Sequence, residues 1–296
     1  MKLKPNDNTI GFKRFFFLKA VYRVANEIIN TPFKECIHSN CDNRPLEADN
    51  DQIDIVTVAF NNEHVIKLQI HYLKKYIQDK SYTFVVADNS NDEEKQLAIR
   101  QLCEQENIGY VRLPRPKQKF MRNLGSYSHG IALNWIYYNY IDKRKPRFFG
   151  TLDHDIYPTR PIILENKIQP QGYYGYKRGL NHKEWFLWPG MLFFRYDYVS
   201  KTKVNYMPSI HDGIYLDTGG ALYKNFYSKI DLNAARIASF EKLTLKDLGY
   251  DNSAEVEFID NREWFHSVNA SHWKDNIIPY DDLIDEIIRK TENIKS

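Results

Sequence analysis

Phe148-Phe149-Gly150-Thr151-Leu152-Asp153-His154-Asp155 is apolar for most of its length and ends in two carboxylates that flank one histidine. The apolar part reads as a buried strand, and the charged end as the place where the chain leaves the sheet. Upstream, Tyr110 to Leu113 reads as a short strand, and Tyr82 to Ala87 as another that ends in Asp88-Asn89-Ser90. Ile53 to Phe60 is apolar and β-branched, and reads as the first strand of the series. Residues 63–78, 92–106 and about 123–140 read as the intervening helices, the first with Val65, Leu68, Tyr72 and Leu73 on one side. Strand and helix alternating at this spacing predict an α/β fold, a parallel sheet with helices on both faces. Ligands of such sheets bind outside the carboxyl ends of the strands. Those ends carry Asn61, Asp88 and the Asp153/Asp155 pair.

After residue 156 the alternation fades. Residues 172–195 are rich in Gly, Tyr and Trp, and include Trp185 and Trp188. Asp217-Thr218-Gly219-Gly220 reads as a turn that enters a helix. Trp264-Phe265-His266-Ser267 and Ser271-His272-Trp273 stand near the end. The last sixteen or so residues read as a helix with Leu283, Ile284, Ile287 and Ile288 on its apolar side. No internal repeat or low-complexity tract is visible.

The chain has 296 residues, 43% of them hydrophobic, which suits one large domain with or without an appendage. A charged share of 27% excludes a wholly disordered chain and a polytopic membrane protein. The net charge of +3 is too small to point to nucleic acid, and none is expected as a partner. Aromatic residues make up 15%, with 21 Tyr, a composition that suits wet, ring-lined surfaces such as those of carbohydrate binders. Three cysteines, Cys36, Cys41 and Cys103, imply no disulfide framework and a reducing compartment.

Residues 1–50 read as a basic amphipathic extension, and 51–296 as the main domain, with a nucleotide-binding half at 51–156 and an acceptor half with the C-terminal helix at 157–296. The first 34 residues hold seven Lys/Arg against two acids. Phe17, Val21, Val24 and Ile28 form a helical stripe there. Two readings stand: a helix docked on the main domain, or residues 1–30 lying on an anionic membrane surface. The apolar run Phe15 to Leu18 is too short for a secretory core or a span. The expected location is cytoplasmic, peripheral at the inner face of the membrane under the second reading.

Two carboxylates around one residue, just past a strand, can share one hard divalent cation. Such a cation can bridge a diphosphate and neutralise charge on a departing phosphate. An Asp-x-Asp triplet alone also fits an Asp-rich turn or a helix cap.

Four segments in order resemble the GT-A fold of nucleotide-sugar-dependent glycosyltransferases, nearest their family 2 group. Val56-Thr57-Val58-Ala59-Phe60-Asn61-Asn62-Glu63 resembles the first strand and its nucleotide-contacting turn. Val85-Val86-Ala87-Asp88-Asn89-Ser90-Asn91-Asp92 resembles the element whose acid meets the base. Met121-Arg122-Asn123-Leu124-Gly125 resembles the start of the following helix, and Leu152-Asp153-His154-Asp155 the metal motif. Phe60 stands where Tyr is usual, and Ala87 and Asn89 replace an Asp and a Gly. The later Glu-Asp base motif is not visible.

The resemblance implies an inverting glycosyltransferase of polysaccharide, lipopolysaccharide or glycoprotein biosynthesis. Its donor would be a nucleotide diphosphate sugar, a UDP-sugar by default, and its acceptor a glycan or glycolipid hydroxyl. It implies nucleotide contacts at Ala59, Asn61, Glu63, Asp88, Asn89, Arg122 and Asn123. It also implies Mn²⁺ or Mg²⁺ at Asp153 and Asp155, with a C-terminal His completing the shell in some members. Here that is His266, with His272 second, and an imidazole ligand favours Mn²⁺. Arg112, Arg115, Lys117, Lys119 and Arg122 form a basic stretch that can draw in a diphosphate. Trp185, Trp188 and Gly219 are the candidates for sugar or acceptor contact.

Inversion needs a carboxylate opposite the leaving group. Asp217 is the candidate base, against a reading of it as a helix cap, with Glu263 and Asp212 next. Glu263 also reads as a residue behind the metal. Two other functions remain in view: a nucleotidyl- or phosphosugar-transferase, and a catalytically inactive sugar-binding module. The first usually carries a Gly-rich loop after its first strand, which Ala59-Phe60-Asn61-Asn62-Glu63 lacks.

Overall fold

A computed structural model describes residues 52–113, 125–178, 184–268 and 279–292. The chain opens with β1 (Ile53–Ala59), α1 (Glu63–Tyr76), β2 (Tyr82–Asp88), α2 (Glu93–Gln105) and β3 (Gly109–Arg112). Next come α3 (Gly125–Ile136), which runs on through a π-helical turn at Tyr137–Ile141, and then β4 (Phe148–Asp153) and β5 (Ile156–Pro158). The second half holds α4 (Leu164–Ile168), β6 (Tyr173–Arg178), β7 (Phe186–Arg195), β8 (Ser209–His211) and β9 (Ile214–Leu216). It ends with β10 (Phe240–Thr244), β11 (Glu255–Ile259), β12 (Trp264–His266) and α5 (Tyr280–Glu292).

The main sheet has the order β3-β2-β1-β4-β7-β6. Strands β1 to β4 are parallel, as the alternation predicts, and β7 and β6 extend the sheet in antiparallel fashion. Burial on both faces explains the near-continuous apolar runs. Val56, Val58, Val85 and Ala87 face α3 with Ala132, Leu133 and Ile136. Ile53, Ile55, Phe84 and Val86 face α1 and α2 with Ile66, Ile70, Leu73, Ile99 and Cys103. One interior charge interrupts β1: Asp54 is fully buried and paired with Arg144 at 2.8 Å.

A second sheet, β10-β11-β12-β5, packs behind α1. Val65, Leu68, Tyr72 and Tyr76 meet Tyr157, Val256, Phe258, Phe265 and the Leu283, Ile284, Ile287 and Ile288 face of α5. The stripe expected on α1 is therefore two stripes. Leu73 faces the main sheet, and Val65, Leu68 and Tyr72 face the second sheet.

The helix expected after Gly220 is instead two short 3₁₀ turns, Gly220–Leu222 and Tyr227–Lys229. Leu222, Phe226 and Tyr227 are buried there, which gives the sequence its helix-like apolar spacing. The N-terminal extension at 1–50 lies outside the described residues.

Candidate metal and nucleotide site

Strand β4 delivers Asp153 to the carboxyl end of the parallel sheet, and the next turn delivers Asp155. Strand β12 brings His266 to the same point from the second sheet. The ligand atoms of Asp153, Asp155 and His266 all lie within 4.8 Å of one another. His266 Nε2 stands 3.4 Å from Asp155 Oδ1. The donor set, two carboxylates and one imidazole, fits a divalent cation, and Mn²⁺ better than Mg²⁺. Both acids were expected at an exposed strand end. Asp153 is only half-buried, but Asp155 is buried against His266.

Opposite charges hold this cluster together. Burial by itself would lower the His266 pKa, but Asp155 and Glu257 on either side push it up to about 10. Burial would raise the Asp155 carboxyl, and the His266 charge beside it holds it below the usual carboxylate range. Glu257 is likewise held low, against its burial, by His266 and more distantly by Arg178 and Lys242.

Several local contacts fix the turn. Gln69, fully buried on α1, donates to the carbonyl oxygens of Asp153 at 2.7 Å and Ile156 at 2.9 Å. Ser267 donates through its backbone N–H to the Asp155 carbonyl at 3.0 Å. His129, on α3, places Nε2 3.6 Å from Asp153 Oδ1. His154 lies with Nδ1 3.2 Å from the Val58 carbonyl.

The nucleotide-turn candidates sit one and two strands over. Ala59 and Asp88 are paired residues at the ends of β1 and β2, and Asn89 N–H donates to the Ala59 carbonyl at 3.0 Å. Asn61 adopts a positive φ of 52°, a conformation Asn tolerates. Its Oδ1 accepts from the backbone N–H of Asn91 at 2.9 Å, and its own N–H donates to Ser90 Oγ at 2.8 Å. Asn89 donates to Ser128 Oγ on α3 at 3.0 Å. Asp88 is 1% exposed, and it accepts from Ser90 N–H and from the Tyr110 hydroxyl, both at 2.8 Å. Its burial raises its pKa, against those hydrogen bonds and the charge of Arg112. Glu63 is engaged by Lys95 Nζ at 3.0 Å. Phe60, between Ala59 and Asn61, is 46% exposed, an unusual amount for so large an apolar ring. Arg122, Asn123, His272 and the basic residues 115–119 lie outside the described residues.

The remaining candidates separate. Trp188 packs its ring 5.1 Å from that of His266, with the Arg178 guanidinium 4.1 Å above the indole. Trp185 is 2% exposed and packs on Tyr227 in the core under α3, with no open face. Gly219 has φ 94°, and a Cβ there would meet Pro189 at 2.7 Å. Asp217 does not cap a helix: the first 3₁₀ turn is capped by Gly219, and Asp217 Oδ1 accepts from Thr218 N–H at 2.7 Å. Thr218 in turn donates to the Ser126 carbonyl at the start of α3, at 2.9 Å. Glu263 is held by Lys167 at 2.6 Å and does not stand behind His266. Asp212 is an exposed turn residue with φ 44°.

The carboxylate behind His266 is Glu257, which sequence reasoning missed. Its Oε2 lies 2.7 Å from His266 Nδ1. The signal is a register: Glu257 is the cross-strand partner of His266 in an antiparallel hairpin. Gln69 also escaped, because a buried amide on a helix carries no motif. A cavity of about 650 Å³ lies at the opposite end of the sheet, lined by residues such as Tyr82, Asn107, Trp135 and Lys143. None of the cluster residues lines it.

No family model and no curated protein matches the chain. Solved structures with partial likeness include TarS from S. aureus, at 16% identity over 52% of this chain and 30% of that one, with a TM-score of 0.35. The mannosyltransferase PcManGT from Pyrobaculum calidifontis, solved with GDP-Man and Mn²⁺, has 13% identity over 63% of this chain and 56% of that one, with a TM-score of 0.38. Glucosyl-3-phosphoglycerate synthase from Mycobacterium tuberculosis, solved with Mn²⁺, UDP and glucosyl-3-phosphoglycerate, has 14% identity over 53% of this chain and 60% of that one, with a TM-score of 0.32. The chain spans less than two thirds of each of these proteins. Among the described residues, no helix is long and apolar enough to cross a membrane.

Proposed function

We propose that the chain is a metal-assisted glycosyltransferase that moves a sugar, with inversion, from a nucleotide diphosphate sugar to a hydroxyl of a glycan or glycolipid. The observation that carries the reading is the convergence of Asp153, Asp155 and His266 at the carboxyl end of a parallel sheet, beside the Asn61 and Asp88 turns.

Asp153, Asp155 and His266 would hold Mn²⁺ or Mg²⁺. A divalent cation there supplies charge neutralisation to a departing diphosphate. Asp88, Asn61 and Asn89 would line the base end with Ala59 and Glu63, and the exposed face of Phe60 offers a flat apolar platform for a base. Arg122 and Asn123, just before α3 in the sequence, would contact the diphosphate. Gly219, with Pro189 packed where a side chain would stand, would offer backbone to the sugar, and Trp188 would brace the metal side. Asp217 would take the proton of the acceptor hydroxyl. Residues 1–30 would place the enzyme on an anionic surface, from which a glycolipid acceptor is reached.

A thermal-shift panel of nucleotide diphosphates and their sugars, with and without Mn²⁺, tests this. Binding at about 100 times the dissociation constant adds about 2.7 kcal/mol of stability. A nucleotide that stabilises only with Mn²⁺, together with slow donor hydrolysis, supports the reading. Sugar binding without any donor turnover would leave an inactive sugar-binding module. For residues 1–30, loss of pelleting with anionic vesicles on deletion is the expected result.

A further inference from the structure

Three strands run side by side at the cluster. Residue 257 on β11 pairs with residue 266 on β12, and residue 266 pairs with residue 156 on β5. Directly paired residues on antiparallel strands project to one face, which sets Glu257 against one edge of the His266 ring. Its Oε2 lies 2.7 Å from Nδ1, while Nε2 on the far edge stands 3.4 Å from Asp155. Glu257 is 7% exposed and His266 5%. Trp188 packs beside the imidazole and leaves the ring little freedom to turn.

A buried carboxylate is costly unless it is paired, and replacing such a pair with apolar residues is often neutral. A neutral imidazole carries one proton on either nitrogen, and only the bare nitrogen can bind a metal. We propose that Glu257 is the positioning residue of the cluster: it keeps the His266 proton on Nδ1 and presents Nε2 toward Asp153 and Asp155. The proposal rests on the metal reading above and extends it to a residue that touches neither metal nor substrate.

Two experiments test it without substrate. The first is Mn²⁺ titration, with free Mn²⁺ read by electron paramagnetic resonance, on wild type, Glu257→Gln, His266→Ala and the double variant. Glu257→Gln keeps the shape of the side chain and should weaken Mn²⁺ binding on the order of 10–100-fold. His266→Ala should weaken it at least as much, and the double variant no further than His266→Ala alone. Unchanged affinity in Glu257→Gln beside a clear loss in His266→Ala overturns the positioning role and leaves the metal site standing. Unchanged affinity in both overturns the role together with the metal reading. The second experiment uses wild type loaded with diamagnetic Zn²⁺, so it does not depend on a variant folding. Long-range proton–nitrogen correlation should show the His266 proton on Nδ1. A proton on Nε2 overturns the proposal.

Discussion

Gln69 donates from its amide nitrogen to the carbonyl oxygen of Asp153 at 2.7 Å, and the same nitrogen reaches Ile156 at 2.9 Å. A helix sandwiched between two sheets thus ties down both ends of the turn that carries Asp155. Gln69→Leu fills the same space but strands two carbonyls, that of Ile156 buried and that of Asp153 partly so. At about 1–3 kcal/mol for each stranded group, the cost is about 2–6 kcal/mol. Urea denaturation of the metal-free protein should show that loss, and Mn²⁺ binding should weaken with it. A stability equal to wild type would show that the turn holds without the clamp.

Asp153 and Asp155, the two carboxylates of the proposed metal site, sit in different environments. Both Asn variants should lose the stabilisation that Mn²⁺ confers. Only Asp155→Asn should also weaken the metal-free protein, because it removes a buried counter-charge from His266. Hydrogen bonds to charged groups contribute about 1.5–3 kcal/mol, which sets the scale of that loss. Thermal melts of both variants, with and without Mn²⁺, separate the two effects. Equal metal-free melting points would contradict the burial of Asp155.

The pH dependence of the metal-free protein follows from the same three groups. His266 is raised to about 10, so its contribution is complete below its unfolded value of about 6.5 and is lost as pH climbs toward 10. Asp155 and Glu257 are lowered, so theirs is present above about pH 4 to 4.5 and fades as pH falls through their folded values. Stability should therefore peak between about pH 5 and 6.5 and decline on the alkaline side. His266→Gln should flatten that alkaline decline. Mn²⁺ affinity should run the other way and rise with pH, because the Nε2 proton must leave before metal binds. Denaturation curves and Mn²⁺ titrations across pH 5–9 measure both trends.

How far the sequence carried differs by region. Strands β1, β2 and β4 were legible because burial on both faces writes them as near-continuous apolar runs that end in polar residues. Strands β6 and β7 were not, since their Gly- and aromatic-rich text has no period and their direction depends on partners far along the chain. Asp153, Asp155 and His266 were legible as residue types able to bind a cation. Glu257 was not, because only the β11–β12 register turns Glu-Val-Glu into a neighbour of His266. The tight hairpin between them takes Asp260, Asn261 and Arg262 through positive φ, which Asp and Asn tolerate but Arg262 does not announce. Asp217 read equally well as a cap, and only the backbone shows that Gly219 occupies the cap position.

That last observation sharpens the test of the base. With the helix-cap role gone, the Asp217 carbonyl still accepts from Gly220 N–H at 2.8 Å, and its side-chain Oδ1 accepts from Thr218 N–H at 2.7 Å. An Asn side chain can accept that bond equally well through its own oxygen. Asp217→Asn should therefore fold and melt like wild type, and Thr218 should keep its tie to Ser126 at the start of α3. What the Asn variant cannot do is take a proton. A general base contributes about 10²–10⁴-fold to turnover, so under the proposed role the variant should lose at least about 10²-fold in kcat. Its affinity for donor and Mn²⁺ should stay unchanged, because both bind on the leaving-group side. Donor titration followed by single-turnover transfer separates binding from chemistry. Near-normal turnover in Asp217→Asn would pass the role to Asp212, since Glu263 is committed to Lys167.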